Sequence, residues 1–366
     1  MIENKKRRPT RRLWVGKVPV GGGAPITVQS MTNTDTRDIE ATVAQINRLT
    51  KAGCEIVRVA VMDQEAASAL SKIKARIAVP LIADIHFDYR LALAALKAGI
   101  DGLRINPGNI GSRERVQRVV KEALARQVPI RIGVNAGSLA REEMVKYGGV
   151  TAEAMVASAK KHIRILEDMN FTLIKVSLKA AEVPLMLAAY RQLADEIDYP
   201  LHLGVTEAGC GLEGAVKSAV GIGILLAEGI GDTIRVSLTG DPVQEVRAAY
   251  AILGALNLRR RGIELISCPT CGRCQIDLEM VAARVQAGLE DIDKPIKVAV
   301  MGCVVNGPGE ARQADVGVAG GPGFGVLFRR GKPIKKLKEA ELASALIAEV
   351  KRLAAEAEKE EQNAHK

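Results

Sequence analysis

The chain has 366 residues, of which 48% are apolar and 26% are charged. This is the composition of a globular protein with one large domain or two ordinary ones, and it excludes a disordered protein. Aromatic residues make up only 3% of the chain, which argues against nucleic-acid modules that work by base stacking. The net charge of +10 favours an anionic small substrate or an acidic protein partner.

The basic run KKRRPTRR near the N-terminus predicts a solvated, mobile tail. No apolar segment follows it, so no signal peptide is expected. The longest apolar run, residues 219–227, is far shorter than the ~20 residues that a membrane helix needs. We therefore expect a cytoplasmic protein that binds neither membrane nor nucleic acid. In that compartment, clustered cysteines are more often metal ligands than disulfides.

Short β-rich segments alternate with helical patterns from residue 26 to about residue 260. The predicted strands cover residues 26–30, 55–61, 79–85, 102–108, 129–137, 171–180, 199–209 and 232–240. Eight strand–helix units in about 240 residues predict an α/β fold with a TIM (β/α)8 barrel. A doubly wound sheet is the alternative, but no Gly-x-Gly-x-x-Gly follows the first strand.

A weak internal repeat supports the barrel. The segments AGCEIVRV, AGIDGLRI and EGIGDTIRV each pass from a helix end through a glycine into a strand that carries an arginine. These arginines are Arg58, Arg104 and Arg235, and they occupy similar positions in three units.

The pattern changes after residue 262. Four of the six cysteines follow, with a helix predicted near 275–289, a strand near 296–302, Gly/Pro turns over 306–325 and a charged terminal helix. We expect a barrel domain over residues 1–262, including a basic extension over 1–24, and a smaller α/β domain over 263–366.

Polar side chains gather at the predicted carboxyl ends of the barrel strands, where barrel enzymes place their chemistry. They are Gln29, Arg58, Asp84, His86, Arg104, Asn106, Arg131, Asn135, Lys175, Ser177, Glu207, Arg235 and Ser237. The five cations among them would repel each other unless an anion lies between them, and arginine forks suit phosphate oxygens. The alternative is that two of the five form structural ion pairs with Asp84, Glu55 or Asp232. Together they predict a ligand of diphosphate size.

Glu207 is a carboxylate in this basic setting, which makes it either a general acid or base or a salt-bridge partner. His86 is a second candidate for proton transfer. His162, His202 and His365 have no acidic or thiol neighbours in sequence and receive no role.

Cys268 and Cys271 have the Cys-x-x-Cys spacing of a metal site. A zinc ribbon would need a second such pair, but the next cysteine after Cys274 is Cys303, alone. A zinc site built from all four remains an alternative. The pattern favours an iron–sulfur cluster with three thiolates and a weaker fourth position, which Glu310 can reach across a Gly-Pro-Gly turn. Cys54 and Cys210 are expected to be buried free thiols beside the barrel.

The motifs SCPTCGR, MGCVVNGPGEA, LGVTEAG, RIGVNAGSL and RINPGNIG together resemble the 4-hydroxy-3-methylbut-2-en-1-yl diphosphate synthase family in its compact two-domain bacterial form. The resemblance covers nearly the whole chain and implies a TIM barrel followed by a cluster domain. It also implies one 4Fe-4S cluster per chain, a cytoplasmic head-to-tail homodimer, and flavodoxin or ferredoxin as electron donor.

The resemblance also assigns roles to residues. The cluster ligands correspond to Cys268, Cys271, Cys303 and Glu310, and Cys274 has no counterpart among them. The substrate contacts correspond to Arg58, Arg104, Arg131, Asn135, Lys175, Ser237 and Asn306. Glu207 corresponds to the acid or base of the barrel, and Glu310 is expected to take part in catalysis.

The implied reaction is the two-electron reductive ring opening and dehydration of 2-C-methyl-D-erythritol 2,4-cyclodiphosphate. The product is (E)-4-hydroxy-3-methylbut-2-enyl diphosphate. One alternative is a barrel phosphate-sugar aldolase or isomerase with a structural zinc domain, in which Lys175 forms a Schiff base. A non-catalytic module that binds RNA is another, but cations that converge inside a barrel argue against it.

Overall fold

The computed structural model describes residues 6–106, 109–303 and 314–364. The chain divides into two units, Met1–Arg259 and Arg260–Lys366. Within the described residues, no helix combines the length and apolar character needed to cross a bilayer.

The first unit alternates strands and helices. Its strands are β1 (Leu13–Val15), β2 (Val18–Val20), β3 (Thr27–Met31), β4 (Ile56–Ala60), β5 (Leu81–Asp84), β6 (Gly102–Ile105), β7 (Ile130–Asn135), β8 (Ile174–Lys179), β9 (His202–Leu203) and β10 (Thr233–Ile234). Its helices are α1 (Ile39–Lys51), α2 (Gln64–Lys74), α3 (Tyr89–Lys97), α4 (Arg113–Ala125), α5 (Arg141–Lys146), α6 (Ala152–Glu167), α7 (Val183–Glu196), α8 (Gly211–Ala227) and α9 (Pro242–Ala255).

Strands β3 to β10 form one parallel sheet in the order β8-β7-β6-β5-β4-β3-β10-β9. A parallel bridge between Val176 and Leu201 joins β8 to the start of β9 and brings the two ends of the sheet together. The predicted TIM barrel is confirmed. The last two predicted strands are much shorter than expected, because the chain leaves the ladder after Leu203 and Ile234.

Local signals explain where the barrel helices begin. The side chains of Asp38, Asp63, Asp88 and Asp241 accept backbone N–H groups in the first turns of α1, α2, α3 and α9. These N-caps satisfy donors that would otherwise have no partner. The helices then bury one apolar face against the strands, as the spacing in α1 predicts.

An antiparallel hairpin of β1 and β2 precedes the barrel and was not predicted. Its residues Leu13, Val15 and Val20 pack against Ile56 and Ile82 at the start of β4 and in β5. Alternation over three residues is too short a signal to identify such strands.

The prediction of a solvated basic tail is wrong for Arg7 and Arg8, whereas Arg11 and Arg12 are exposed. Arg7 forms an ion pair with the buried Asp232 at 3.1 Å. Arg8 donates to the carbonyls of Ala194, Ile197 and Tyr199. The carbonyls of α7 and of the turn after it have no partner within their helix, so they bind the guanidinium.

The second unit contains β11 (Ile263–Ser267), β12 (Ile296–Met301), β13 (Val316–Gly321), β14 (Phe324–Arg329), β15 (Lys332–Lys338), α10 (Leu278–Gly288) and α11 (Glu339–Ala364). The strands form a mixed sheet in the order β11 to β15, parallel from β11 to β13 and antiparallel beyond. Residues of α10 and α11 pack on one face of it.

The smaller α/β domain is therefore present, and its terminal helix is as predicted. The prediction of Gly/Pro turns over 306–325 is wrong where β13 and the start of β14 form. The part of this range before residue 314 lies outside the described residues.

Candidate active site

Four charged side chains form a row across neighbouring barrel strands. Asp84, Arg104, Arg131 and Lys175 stand opposite each other in register on β5, β6, β7 and β8. Residues in register on parallel strands point to the same side of a sheet. All four side chains are buried, so the row lies inside the protein.

Asp84 is the carboxylate that joins two of the cations. Arg104 donates from Nη1 to its Oδ1 at 3.0 Å, and Arg58 Nε lies 3.4 Å from its Oδ2. Burial alone would raise the pKa of Asp84, but the charges of Arg58, Arg104 and Arg131 outweigh it and lower the pKa to about 2. Burial lowers the pKa of Arg58 to about 10, with Asp84 opposing that change. Asp84 therefore stays ionised between these arginines.

The other two cations of the row have unused donors. Arg131 donates from Nη1 to Ser177 Oγ at 2.6 Å, but its Nε and Nη2 have no hydrogen-bond partner among the described residues. Lys175 Nζ and Arg104 Nε are likewise buried without one. Burial, reinforced by Arg131, lowers the pKa of Lys175 to about 7, and burial also lowers the pKa of Arg131. Buried donors without partners indicate a place for an acceptor-rich ligand.

Arg235 has its own carboxylate. Its guanidinium lies 3.4 Å from both oxygens of Glu245, which projects from α9 and also accepts from Ser30 Oγ at 3.1 Å. The expectation that some cations form ion pairs is thus correct in kind. Among the three carboxylates expected as partners, Asp84 pairs with Arg58 and Arg104. Glu55 instead binds Arg259, and Asp232 binds Arg7.

Two buried residues at this site were missed. Lys179 follows Lys175 and Ser177 at a spacing of two and stands in register with Asn135, and burial followed by the charge of Arg235 lowers its pKa. His202 Nδ1 lies 2.7 Å from Thr233 Oγ1 in a hydrogen bond, and its Nε2 is buried with no partner within residues 6–106, 109–303 and 314–364. The alternation Lys-Ser-Lys on one strand face could have identified Lys179.

The predicted loop residues lie where the barrel strands end. Asn135 ends β7, while Glu207 and Ser237 follow β9 and β10. Glu207 is exposed and has φ of 51°, a left-handed conformation that is uncommon outside glycine. Asn306 and Glu310 lie outside the described residues.

Two adjacent strands lead into the cysteine motifs. Cys268 directly follows β11, and Cys303 follows β12 by two residues, in a parallel pair where Ser267 stands opposite Val300. Gly302 N–H donates to Cys268 Sγ at 3.2 Å. Cys271 is exposed and Cys303 is buried. Among the described residues, no three His, Cys, Asp or Glu side chains are grouped as metal ligands, so the ligand set stays a prediction.

The remaining thiols differ from each other. Cys54 is buried, as expected, and burial raises the pKa of its thiol to about 12. Cys210 is exposed at the N-cap of α8, within the exposed stretch 209–213, so the expectation of burial is wrong there.

Comparisons with known proteins decide the family. Residues 10–250 match the family described as the GcpE TIM-barrel domain, and residues 264–352 match the GcpE protein C-terminal domain. A protein named 4-hydroxy-3-methylbut-2-en-1-yl diphosphate synthase (flavodoxin) from Geobacter sulfurreducens is 64% identical over 95% of this chain and 98% of its own. The chain belongs to the 4-hydroxy-3-methylbut-2-en-1-yl diphosphate synthase family.

Another synthase of this name, from Thermodesulfovibrio yellowstonii, is 58% identical over 95% of this chain and 99% of its own. A crystal structure of dihydropteroate synthase from Stenotrophomonas maltophilia matches with a TM-score of 0.50 and 14% identity, over 68% of this chain and 98% of that chain. That likeness shows the barrel fold alone. Membership of the synthase family confirms the resemblance and does not favour the aldolase alternative.

Proposed function

We propose that this chain catalyses the reductive ring opening and dehydration of 2-C-methyl-D-erythritol 2,4-cyclodiphosphate to (E)-4-hydroxy-3-methylbut-2-enyl diphosphate. The observation that carries the proposal is the row of buried cations on Arg104, Arg131 and Lys175, each with a donor that has no partner in the part of the chain that the structure describes. A cyclic diphosphate has the charge and the oxygen acceptors that these donors lack. The names of the relatives support the same reaction.

The barrel residues bind and orient the diphosphate. The sequence proposes this role for Arg58, Arg104, Arg131, Asn135, Lys175 and Ser237, and the family resemblance adds Asn306. We add Lys179 and Arg235 because of their positions in the structure. Because Asp84 already fixes Arg58 and Arg104, these two need little reorganisation when the substrate arrives. Fixed cations stabilise the charge that grows on the diphosphate as the ring opens.

Glu207 is the proposed acid or base of the barrel. It lies on the loop after β9, exposed and in a backbone conformation that few non-glycine residues adopt. Such strain is characteristic of functional sites. From this loop its carboxyl group can deliver the proton that accompanies loss of water.

A 4Fe-4S cluster, one per chain, would be held by Cys268, Cys271, Cys303 and Glu310. The donors fit the group, because clusters take thiolate ligands and because the parallel neighbours β11 and β12 lead into Cys268 and Cys303 at the same edge of the sheet. When bound, the cluster supplies electrons and Lewis acidity. The Gly302 N–H already donates to Cys268 Sγ and would orient that sulfur as a ligand.

Partners and location follow from the same family. Flavodoxin is the proposed electron donor, since it stands in the names of the relatives, with ferredoxin as the other candidate. A head-to-tail homodimer and a cytoplasmic location rest on the resemblance, and the division of labour between barrel domain (1–262) and cluster domain (263–366) rests on it too.

Metal analysis of protein purified without oxygen tests the cluster. We expect about four irons and four acid-labile sulfides per chain and no zinc. Cys303→Ala should lose the cluster, and Glu310→Ala should keep some cluster with little turnover. The matched control Cys210→Ala changes an exposed thiol outside the set and should keep both. Stoichiometric zinc without sulfide, or a fully loaded and active Cys303→Ala protein, would contradict the ligand set.

A further inference from the structure

The edge strand β15 of the second unit carries a row of lysines that the proposed chemistry does not use. Lys332, Lys335, Lys336 and Lys338 are all exposed. We call these four residues the lysine edge. Within the described parts of the chain, none of them forms an ion pair with a carboxylate, and Lys336 instead lies 3.6 Å from the centre of the Phe324 ring.

Several glutamates in the first half and the middle of α11 already have partners. Glu349 and Glu356 pair with Arg329 and Arg352. At the start of the helix, Glu341 accepts the backbone N–H of Lys338, so that lysine has a carboxylate close by. The uncompensated positive charge therefore concentrates on Lys332, Lys335 and Lys336.

Strand register aligns the lysine edge with the cysteine motifs. Met301 stands opposite Ala319, Ala319 opposite Val326, and Val326 opposite Lys336. Met301 precedes Cys303 by two residues, so Lys336 lies at the end of the row that leads to this thiol. Three strand spacings of ~4.8 Å separate the two ends, or roughly 14 Å. The lysine edge and the cysteine motifs are therefore parts of one sheet, three strands apart.

We propose that the lysine edge is the docking site for an acidic electron-carrier protein of the flavodoxin type. The proposal rests on the proposed function, because only a reductive enzyme needs a carrier. Opposite charges on exposed surfaces accelerate encounter, and salt weakens the effect. Lysines also protect edge strands from pairing with other chains, and that simpler role is an outcome of the test.

Charge reversal separates these roles. In the triple variant Lys332→Glu, Lys335→Glu and Lys336→Glu, the KM for reduced flavodoxin at low salt should rise about tenfold or more. The increase should shrink as salt is added, and turnover with dithionite and a viologen mediator should stay unchanged. The matched control reverses three exposed lysines of barrel helices, Lys72, Lys97 and Lys121, and should leave the KM within about twofold.

Binding gives a readout that does not require turnover. Titration calorimetry of oxidised flavodoxin against the protein without substrate should show salt-dependent affinity that the triple variant loses. If the glutamate variant aggregates, the same lysines changed to glutamine keep a polar edge and should still weaken binding several-fold. If the KM and the affinity for flavodoxin stay unchanged in the variants, the proposal is overturned. Aggregation of a variant with unchanged KM and affinity would show that the lysines only protect the edge strand from pairing with other chains. An equal effect of the control set would also overturn it. Parent protein inactive with both reductants would instead refute the proposed function.

Discussion

Asp84 is the residue on which the charge balance of the barrel interior depends. Its two oxygens contact Arg58 and Arg104, and the neighbouring guanidinium groups lower its pKa to about 2 despite burial. A carboxylate whose pKa falls on folding contributes stability above its unfolded pKa, and loses it as the pH falls through the folded value. Its contribution is therefore complete at neutral pH and disappears between about pH 4 and pH 2.

Removing this carboxylate should destabilise the protein. In Asp84→Asn, two buried guanidinium groups lose their compensating charge, and we expect the free energy of unfolding at pH 7 to fall by roughly 3–5 kcal/mol. Denaturant titration measures it. The control Asp198→Asn removes the exposed partner of Arg11 and should cost less than about 1 kcal/mol. Equal losses in the two variants would show that Asp84 has no special role.

Lys175 should report anion binding through its proton. Burial, followed by the charge of Arg131, lowers its pKa to about 7, so without a bound anion it is mostly neutral at pH 8. A bound anion favours the charged form, and pyrophosphate should therefore bind with proton uptake at pH 8. Calorimetry in buffers of different ionisation enthalpy measures this uptake. It should diminish in Lys175→Met and persist in Lys97→Met. A binding enthalpy independent of buffer would contradict the assignment.

At the scale of elements, strand glycines make room for the cations. A Cβ on Gly133 of β7 would lie 2.9 Å from Arg104 Nε, and one on Gly204, just after β9, would lie 2.6 Å from Lys179 Nζ. Both glycines stand in the quoted motifs RIGVNAGSL and LGVTEAG. Glycine within a strand often marks such a close approach, and this signal could have located both side chains from the sequence.

A similar contact positions the loop beside Cys303. A Cβ on Gly302 would lie 2.5 Å from Cys274 Sγ, which donates to the carbonyl of Ile276 at 3.2 Å. Cys274, which has no counterpart among the expected cluster ligands, therefore packs against the peptide that donates to Cys268 Sγ. We interpret it as a positioning residue.

Gly302→Ala tests this contact. The clash should destabilise the second unit by about 1–3 kcal/mol, as overpacking does, and should lower the iron content of protein purified without oxygen. Gly272→Ala, in the loop that carries Cys274, brings its Cβ within 4 Å of no atom of the described residues and serves as the control. Adding Cys274→Ala to Gly302→Ala should restore part of the loss. Additive effects of the two substitutions would exclude direct contact.

Sequence patterns predicted the barrel elements because buried strands and amphipathic helices leave clear periodicities. They failed where packing overrides propensity. The sequence VGVAGG of β13 suggests a turn, yet it forms a strand, because Ala299 O and Phe328 approach Gly317 so closely that a Cβ there would lie 2.5 Å from each. The hairpin of β1 and β2 was missed because its strands have three residues each.

At the scale of the whole molecule, the N-terminal arm, residues 7–12, is held against the barrel at the end of α7 and the turn that follows it. The guanidinium of Arg11 stacks 4.6 Å from the centre of the Tyr199 ring, and Arg8 binds the end of α7. Arg8→Ala would leave buried carbonyls without partners and should lower the free energy of unfolding of the barrel by about 1–3 kcal/mol. Arg12→Ala, which loses one exposed hydrogen bond, is the control. If Arg8→Ala leaves the free energy of unfolding unchanged, the N-terminal residues do not stabilise the barrel.

The sequence predicted most of the site residues that lie on the barrel strands. Arg58, Arg104, Arg131 and Lys175 were named from the predicted carboxyl ends of the barrel strands. In the structure Arg131 and Lys175 are the second residues of β7 and β8, and the strand register brings them beside Arg104. Glu245 was not, since it reaches the site from a helix, and nothing in its local sequence shows that it binds Arg235. The pairing of charges depends on which side chains meet in three dimensions.

Turnover of the cyclodiphosphate tests the central claim most directly. Protein purified without oxygen is mixed with 2-C-methyl-D-erythritol 2,4-cyclodiphosphate and dithionite-reduced viologen, and the products are separated and quantified. We expect (E)-4-hydroxy-3-methylbut-2-enyl diphosphate as the product, with two electrons consumed for each molecule formed. The Arg131→Met variant should form no product. If the protein contains its full complement of iron and sulfide and the substrate is nevertheless recovered unchanged, the proposed function is contradicted.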